Sequence, residues 1–454
     1  MAAAEATASC PATTEDGAEL GGLEVCAARV LPLGLKAPVL AMAPMVTQSD
    51  RAFRRLVRAH GCTLCYTEML VAKEFAESGA YRQNALGDGV REDDHPLVVQ
   101  FAAGLDHKDW LLAAALAAQE MGVDAIDVNL GCPQRRAREG GYGAWLAADV
   151  EAWPAIAAMI RACTSSPELK IPVFCKIRLQ STLEATVTLA RMLEDAGCAL
   201  LAIHGRRLES ESNRRGGAAD LDAIGAVRSA LRRMPVLSNG NVRRASDISE
   251  NLRVTACEGV MCAEQLLRDP ALFQRSFQPQ ASPTILELTD EYLAHCMEVD
   301  TENQSSREQF TVWAARDVDV AIHHLRSMLT GCVGKKETPP PDTEALLSAS
   351  LALNARFFFG WWRLKQAENL AEVRACYEER RSSLQPVVGK ESKSKNKTHS
   401  TGGRLRLGAV RGDAFQGELV SISEPDAWSC CNRRNSLASS ADGSCGKQGL
   451  ALPV

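Results

Sequence analysis

The chain has 454 residues, a length that fits two or three domains with ample room for one large core. Hydrophobic residues make up 46% and charged residues 24%, which excludes a fibrous or wholly disordered chain. A net charge of −5 argues against a generally basic nucleic-acid binder, so any contact with a polyanion must use a local patch.

The N-terminal stretch MAAAEATASCPATTEDGAEL is acidic and lacks the apolar core of a signal peptide. It also lacks the Arg-rich character of a transit peptide, so cytoplasm or nucleus is the expected compartment. No apolar run approaches the roughly 18–20 residues of a bilayer span, so no membrane association is expected. Residues 1–35 read as a leader, mostly disordered, ending in a first short strand region. The sixteen cysteines are scattered through strand-like and helix-like segments, as reduced, buried thiols would be. Cys62 and Cys65 have CxxC spacing, but no second CxxC follows to complete a zinc site. Cys430, Cys431 and Cys445 lack histidines at ligand spacing, so no metal is expected.

From residue 36 a repeated alternation begins. Short β-type runs occur at PVLAMAPM, CTLCYTEM, PLVVQFA, AIDVNLG, PVFCKIR, LLAIHGR, MPVLSNG and EGVMCAE. Amphipathic helical patterns follow most of them: SDRAFRRLVRAHG, HKDWLLAAALAAQEMG, VEAWPAIAAMIRAC, LEATVTLARMLEDAG, DLDAIGAVRSALRR and ASDISENLRVT. Several end at glycine, as a C-cap would. Eight β-runs alternating with helices over residues 36–275 predict an α/β fold, a (β/α)8 TIM barrel. A doubly wound open sheet is the alternative. The strands are nearly continuous apolar runs, as expected when both faces are covered.

Residues 283–381 have helical periodicity throughout, broken by TPPPD, and predict a small all-α domain. Residues 382–454 are polar, Ser/Gly/Lys-rich and without sustained periodicity, and predict a disordered C-terminal tail.

In such barrels the active site lies at the C-terminal strand ends. Read at those ends, the sequence supplies Pro44, Met45 and Val46 after strand 1, and Gln100 on strand 3. Strand 4 ends at Asn129 and Cys132, strand 5 carries Lys176 and Arg178, and strand 6 ends at His204 and Arg206. Strand 7 ends at Asn239, Gly240 and Asn241, and strand 8 at Ala263 and Glu264. One inward lysine or histidine alone would carry little weight, but their convergence on one face does. The set suits a bound flavin, with Lys176 stabilising negative charge on a reduced ring. Gln100 would bond the ring's polar edge, and the turns after strands 7 and 8 would face a phosphate.

Arginines gather on the same face: Arg135, Arg136 and Arg138, then Arg206 and Arg207, then Arg214 and Arg215. These loop arginines point to a phosphate-bearing partner. On the first helix Arg51, Arg54, Arg55 and Arg58 share one face, where solvated side chains are the simpler expectation.

APM, VVQFAAG, DVNLGCPQ with GGYGAWL, CKIR, HGR, SNGN and GVMCAE followed by DPALF occur in this order over roughly residues 36–275. In order and spacing they resemble the tRNA-dihydrouridine synthase family, most like its eukaryotic tRNA-dihydrouridine(16/17) synthase branch. The resemblance implies an FMN-binding barrel, a helical tRNA-binding domain, and NADPH or NADH as reductant. It implies that Pro44, Met45, Val46, Gln100, Lys176, His204, Asn239, Gly240, Asn241, Ala263 and Glu264 contact FMN. It also implies Cys132 as proton donor, with Asn129 and Arg178 near the substrate uracil; with tRNA as that phosphate-bearing partner, the loop arginines Arg135 and Arg206 are expected to bind the substrate. The reaction would be hydride addition to C6 of uracil and protonation of C5 from the other face.

A thiol suits that role, because its ordinary pKa of about 8.5 keeps it mostly protonated at neutral pH. A monomer is expected. Two departures stand out: Arg207 where the family usually has threonine, and Leu221 where a tryptophan is frequent. The region 276–381 carries 11 Lys+Arg against 16 Asp+Glu, an unusual balance for a tRNA-binding domain. The competing readings are an FMN barrel acting on a free pyrimidine and a catalytically silent tRNA-binding homologue.

Overall fold

The computed structural model describes residues 29–105, 108–208, 217–304, 311–330 and 370–381. Eight parallel strands form one sheet: β1 (Val39–Met42), β2 (Cys65–Val71), β3 (Leu97–Ala102), β4 (Ala125–Leu130), β5 (Val173–Leu179), β6 (Leu200–Arg207), β7 (Val236–Asn239) and β8 (Gly259–Cys262). Their order is β1-β8-β7-β6-β5-β4-β3-β2. A short bridge from Ala41 to Leu64 closes the ring, with the Met42 N–H donating to the Leu64 carbonyl at 2.9 Å. This is the (β/α)8 barrel that the eight apolar runs predicted, one strand from each.

The predicted helices form as α1 (Arg51–Ala59), α4 (Lys108–Glu120), α7 (Trp153–Thr164), α8 (Leu183–Asp195), α9 (Leu221–Ala230) and α10 (Ser246–Thr255). Side-chain N-caps start three of them. Asp50 accepts from Phe53 N at 3.0 Å, Thr182 from Ala185 N at 3.1 Å and Asp220 from Ala223 N at 2.9 Å. Six short helices are additions to the sequence reading: α2 (Ala72–Glu77), α3 (Gly79–Leu86), α5 (Arg135–Glu139), α6 (Gly143–Ala147), α11 (Glu264–Arg268) and α12 (Leu272–Phe277). Each spans eight residues or fewer, too short for a clear apolar period.

The barrel interior is apolar, filled by Ala41, Tyr66, Val98, Phe174, Leu237 and Met261. Leu31, Leu33 and Leu35 pack against this cluster. Arg29 donates to the carbonyls of Met234 and Arg228 at 2.7 Å and of Leu231 at 2.8 Å. The last residues of the predicted leader are therefore a plug at the N-terminal end of the barrel. A second apolar layer lies between strands and helices.

A third cluster joins α1, α11 and α12 to α13 (Ile285–Gln304) and α14 (Thr311–Thr330). Phe53 of α1 stacks on His324 at 4.2 Å, and Tyr292 meets the same ring edge-on at 5.0 Å. His60, just after α1, bonds Gln274 at 2.6 Å and Glu291 of α13 at 2.8 Å. The start of the predicted all-α region thus packs directly on the barrel wall. The helix Leu370–Arg381 belongs to it as well, with Val373 and Tyr377 in the same cluster. Residues 1–28, 331–369 and the predicted tail 382–454 lie outside the described residues, as do Arg214 and Arg215.

The arginine stripe of α1 is neither solvated nor set out for phosphate. Arg54 is 5% exposed and bonds both oxygens of Asp94 through Nε at 3.0 Å. Arg58 donates to the carbonyls of Asp94 and Pro96 at 2.8 and 2.7 Å. Arg51 and Arg55 each reach Asp93 at 2.9 Å. Cys62 and Cys65 are buried, with their sulfurs 3.7 Å apart, and Cys62 also bonds the carbonyls of Leu40 and Leu64.

Candidate active site

Parallel register sets the polar residues side by side above the apolar interior. Gln100 of β3 pairs with Asp127 of β4, and Asn129 of β4 pairs with Lys176 of β5. Arg178 pairs with His204, and His204 with Asn239. Side chains two apart on a strand share a face, so one layer of polar groups crosses the barrel mouth.

Within this layer the hydrogen bonds form a chain. Gln100 Nε2 donates to Asp127 Oδ2 at 2.8 Å, and Asn129 Nδ2 donates to Gln100 Oε1 at 2.7 Å. Asn129 Oδ1 accepts from the backbone N–H groups of Gly131 at 3.1 Å and Cys132 at 2.9 Å. Arg178 Nε donates to the Gly131 carbonyl at 2.9 Å. The turn that presents Cys132 is thus held from both sides. Ala144 N–H donates to the Cys132 carbonyl at 3.0 Å, tying the turn to α6. Cys132 is half-buried and packs with Tyr142 and Trp145, whereas Cys62, Cys65, Cys163, Cys175, Cys198, Cys257, Cys262 and Cys296 are buried.

The electrostatics follow from burial of several cations together. Burial, with Arg178 beside it, pulls the Lys176 ammonium down to about 8. Burial and Arg206 pull Arg178 to about 10. Burial and the cations Lys176, Arg178 and Arg206 hold His204 well below the usual histidine range. His204 is therefore neutral, and its Nδ1 accepts from the Arg206 N–H at 3.3 Å. On the acid side, burial pushes the Asp127 carboxyl up to about 7, opposed by the Gln100 bond and Lys176. Arg178 Nη1 is buried with no hydrogen-bond partner. A mouth with crowded cations and an unanswered guanidinium nitrogen suits an electron-rich ligand with carbonyl or anionic oxygens.

The remaining expected residues divide by what their side chains do. Met45 N–H donates to Ser49 Oγ at 2.9 Å, which shapes the Pro44–Val46 turn above β1, and Val46 is exposed. Asn239 Nδ2 donates to the Met261 carbonyl at 2.8 Å. Asn241, at φ 58°, exchanges two bonds of 2.7 Å with the Ala219 backbone. Both asparagine side chains already bond backbone, Asn239 that of β8 and Asn241 that of the Ala219 loop, so this edge offers backbone groups to a ligand. Ala263 and Glu264 open α11, directly after β8. Gln100 is 1% exposed and already has two partners, leaving one amide hydrogen for any ligand above it.

Among the arginines, Arg206 lies close enough to act on both Arg178 and His204, and its Nε donates to the Gly217 carbonyl at 3.0 Å. Arg135 sits farther out on α5, largely exposed and paired with Glu139 at 2.7 Å. Arg138 stacks over Trp145 at 5.0 Å, and Arg207 faces Asp220 at 3.9 Å. The sequence reading missed Asp127. Its signal was present, since Asp127 and Asn129 stand two apart in AIDVNL.

A closed (β/α)8 barrel with a cation-rich polar layer and a half-buried cysteine at its mouth defines an enzyme-like class of site. The family model described as "Dihydrouridine synthase (Dus)" matches residues 41–328, and the chain belongs to that family. It is 44% identical over 252 residues to a rat protein named tRNA-dihydrouridine(16/17) synthase [NAD(P)(+)]-like, covering 56% of this chain and 54% of the relative. It is 37% identical over 272 residues to the Schizosaccharomyces pombe tRNA-dihydrouridine(16/17) synthase [NAD(P)(+)], covering 59% and 66%. It is 36% identical over 231 residues to the human tRNA-dihydrouridine(20a/20b) synthase [NAD(P)+]-like, covering 51% and 69%. The matched part spans about half of the rodent relatives' length and about two thirds of the yeast relatives' length.

Proposed function

We propose that this chain is a tRNA-dihydrouridine synthase. In this reading it binds FMN at the barrel mouth, takes electrons from NADPH or NADH, and reduces the C5–C6 bond of uridine in the tRNA D-loop. The names of the rat and S. pombe relatives point to positions 16 and 17. The observation that carries the reading is the meeting of Cys132, Lys176 and Arg178 at the mouth: Arg178 Nε donates to the Gly131 carbonyl beside Cys132 at 2.9 Å, and Lys176 lies in register with Asn129, whose Oδ1 holds the Cys132 N–H at 2.9 Å.

The residues fit a flavin and a uracil. The buried, unpartnered Arg178 Nη1 is a donor awaiting an oxygen, and Lys176 is mostly protonated below its pKa of about 8. Lys176, His204 and the loop backbones at Asn239–Asn241 and Ala263–Glu264 would hold the cofactor. When bound and reduced, FMN supplies the hydride for C6.

Asn129 and Arg178 would orient the uracil carbonyls and stabilise the negative charge that builds toward C5. Cys132 then gives its proton to C5, and its placement on a fixed turn matters more than its acidity. The target uridine must leave its stack to reach the mouth. Arg135, Arg138, Arg206 and Arg207 would meet tRNA phosphates around it. The chain would act as a monomer in the cytoplasm or nucleus.

The test is a split between half-reactions in the purified full chain. Cys132→Ala should bind FMN and be reduced by NADPH at the wild-type rate. Its reoxidation by tRNA should fall ~10²–10⁴-fold, the range for loss of a positioned acid. Normal reoxidation by tRNA would remove Cys132 from the chemistry. Reoxidation by free uridine monophosphate but not tRNA would favour the free-pyrimidine reading.

A further inference from the structure

Asp127 is fully buried, one pleat below Asn129 on β4. A leucine would pack there without the cost that burial imposes on a carboxylate, which is pushed up to about 7. Asp127 Oδ1 and the Tyr66 hydroxyl are both buried without hydrogen-bond partners, and the Asp127 charge opposes ionisation of that phenol. Only Oδ2 is engaged, by Gln100 Nε2 at 2.8 Å.

The chain that begins there has a forced direction. In its ionised form, which prevails above about pH 7, the Asp127 carboxylate only accepts, so Gln100 turns Nε2 toward Asp127 and Oε1 toward Asn129. Asn129 must then donate through Nδ2, which leaves Oδ1 to face Gly131 and Cys132. Those two backbone N–H groups only donate, so the far end agrees with the near end. Turning either amide over would set two donors or two acceptors against each other.

We propose that Asp127 is a positioning residue for the proton-donating step: its carboxylate orients Gln100 and Asn129, and through them fixes the Gly131–Cys132 peptide that carries the thiol. The step it serves rests on the synthase reading, while the geometry does not. Asp127 touches no reacting atom. A second role as a counter-charge for Lys176 is a distinct idea, and one substitution separates the two. Asp127→Asn removes the charge but keeps an acceptor oxygen for Gln100. Asp127→Ala removes both charge and acceptor. Asp127→Leu does the same while filling the space, which guards against an alanine variant that fails to fold.

The flavin-loaded full chain and these three variants would be compared by peptide-resolved iodoacetamide labelling of Cys132, with buried Cys175 as control. Flavin reduction by NADPH and reoxidation by tRNA would be timed on the same samples. Relay loss in Asp127→Ala and Asp127→Leu should raise Cys132 labelling several-fold, leave Cys175 protected and leave flavin reduction unchanged. Reoxidation by tRNA should slow ~10-fold or more, as for a misplaced catalytic group. Asp127→Asn should stay close to wild type in all of these.

Wild-type Cys132 labelling in the alanine and leucine variants overturns the proposal. So does a joint opening of Cys132 and Cys175, or an asparagine variant as impaired as alanine. If the wild-type chain reduces no uridine, the synthase reading fails, while the labelling still decides whether Asp127 holds Cys132.

Discussion

Gly143 stands directly against Cys132. A Cβ on Gly143 would lie 2.7 Å from the Cys132 carbonyl oxygen and 3.1 Å from its Cβ, and the φ of Gly143 is +72°. Both the space and the backbone conformation require glycine there. Gly143→Ala should cost ~1–3 kcal/mol of stability. It should also shift the Cys132 turn and lower uridine reduction more than flavin reduction. Thermal unfolding and the two half-reactions measure this, and an alanine variant equal to wild type in both would contradict the contact.

Lys176 illustrates the cost of a site built for function. Burial and Arg178 lower its pKa from 10.5 to about 8. Between these values the unfolded chain binds more protons than the folded one, so stability rises with pH across roughly pH 8–10.5. Below pH 8 the full cost is present. Lys176→Met should therefore stabilise the flavin-free protein at pH 7 by about 2 kcal/mol while impairing flavin binding or turnover. The gain should shrink toward pH 10, which urea unfolding at the two pH values would show. A destabilised variant at pH 7 would count against the buried-cation account.

The Arg54–Asp94 pair tests the reassignment of the helix stripe. Side-chain exposure is 6% and 2%, so removing one partner leaves a buried charge. Arg54→Ala should lose ~3–5 kcal/mol in denaturant unfolding. The tRNA affinity of the folded protein and its salt dependence should be unchanged. Unchanged stability with weakened tRNA binding would return the stripe to a phosphate-facing role.

The barrel was legible because each strand is a short, nearly continuous apolar run bounded by turn residues, as in DAIDVNLGCP. Glycines in left-handed conformation at 61, 122 and 197 end helices where the pattern placed them. Partners across sequence were not legible. Arg54 and Asp94 are 40 residues apart, and nothing local to either announces the other. Asp127 was legible as a same-face neighbour of Asn129, two residues on, but its place beside Gln100 emerges only once register sets the strands together. The engagement of the Asn239 and Asn241 side chains by backbone likewise depends on Met261 and Ala219, which the fold alone brings near.

Under the proposed function, this barrel reduces uridine in tRNA. Unmodified tRNA transcripts would be incubated with the purified full chain, FMN and NADPH, and each uridine assayed by mass spectrometry for two added hydrogens. The account predicts dihydrouridine in the D-loop, at positions 16 and 17, with the wild-type chain and its near absence with Cys132→Ala. A flavin-loaded, NADPH-reducible protein that leaves every tRNA uridine unchanged would contradict it.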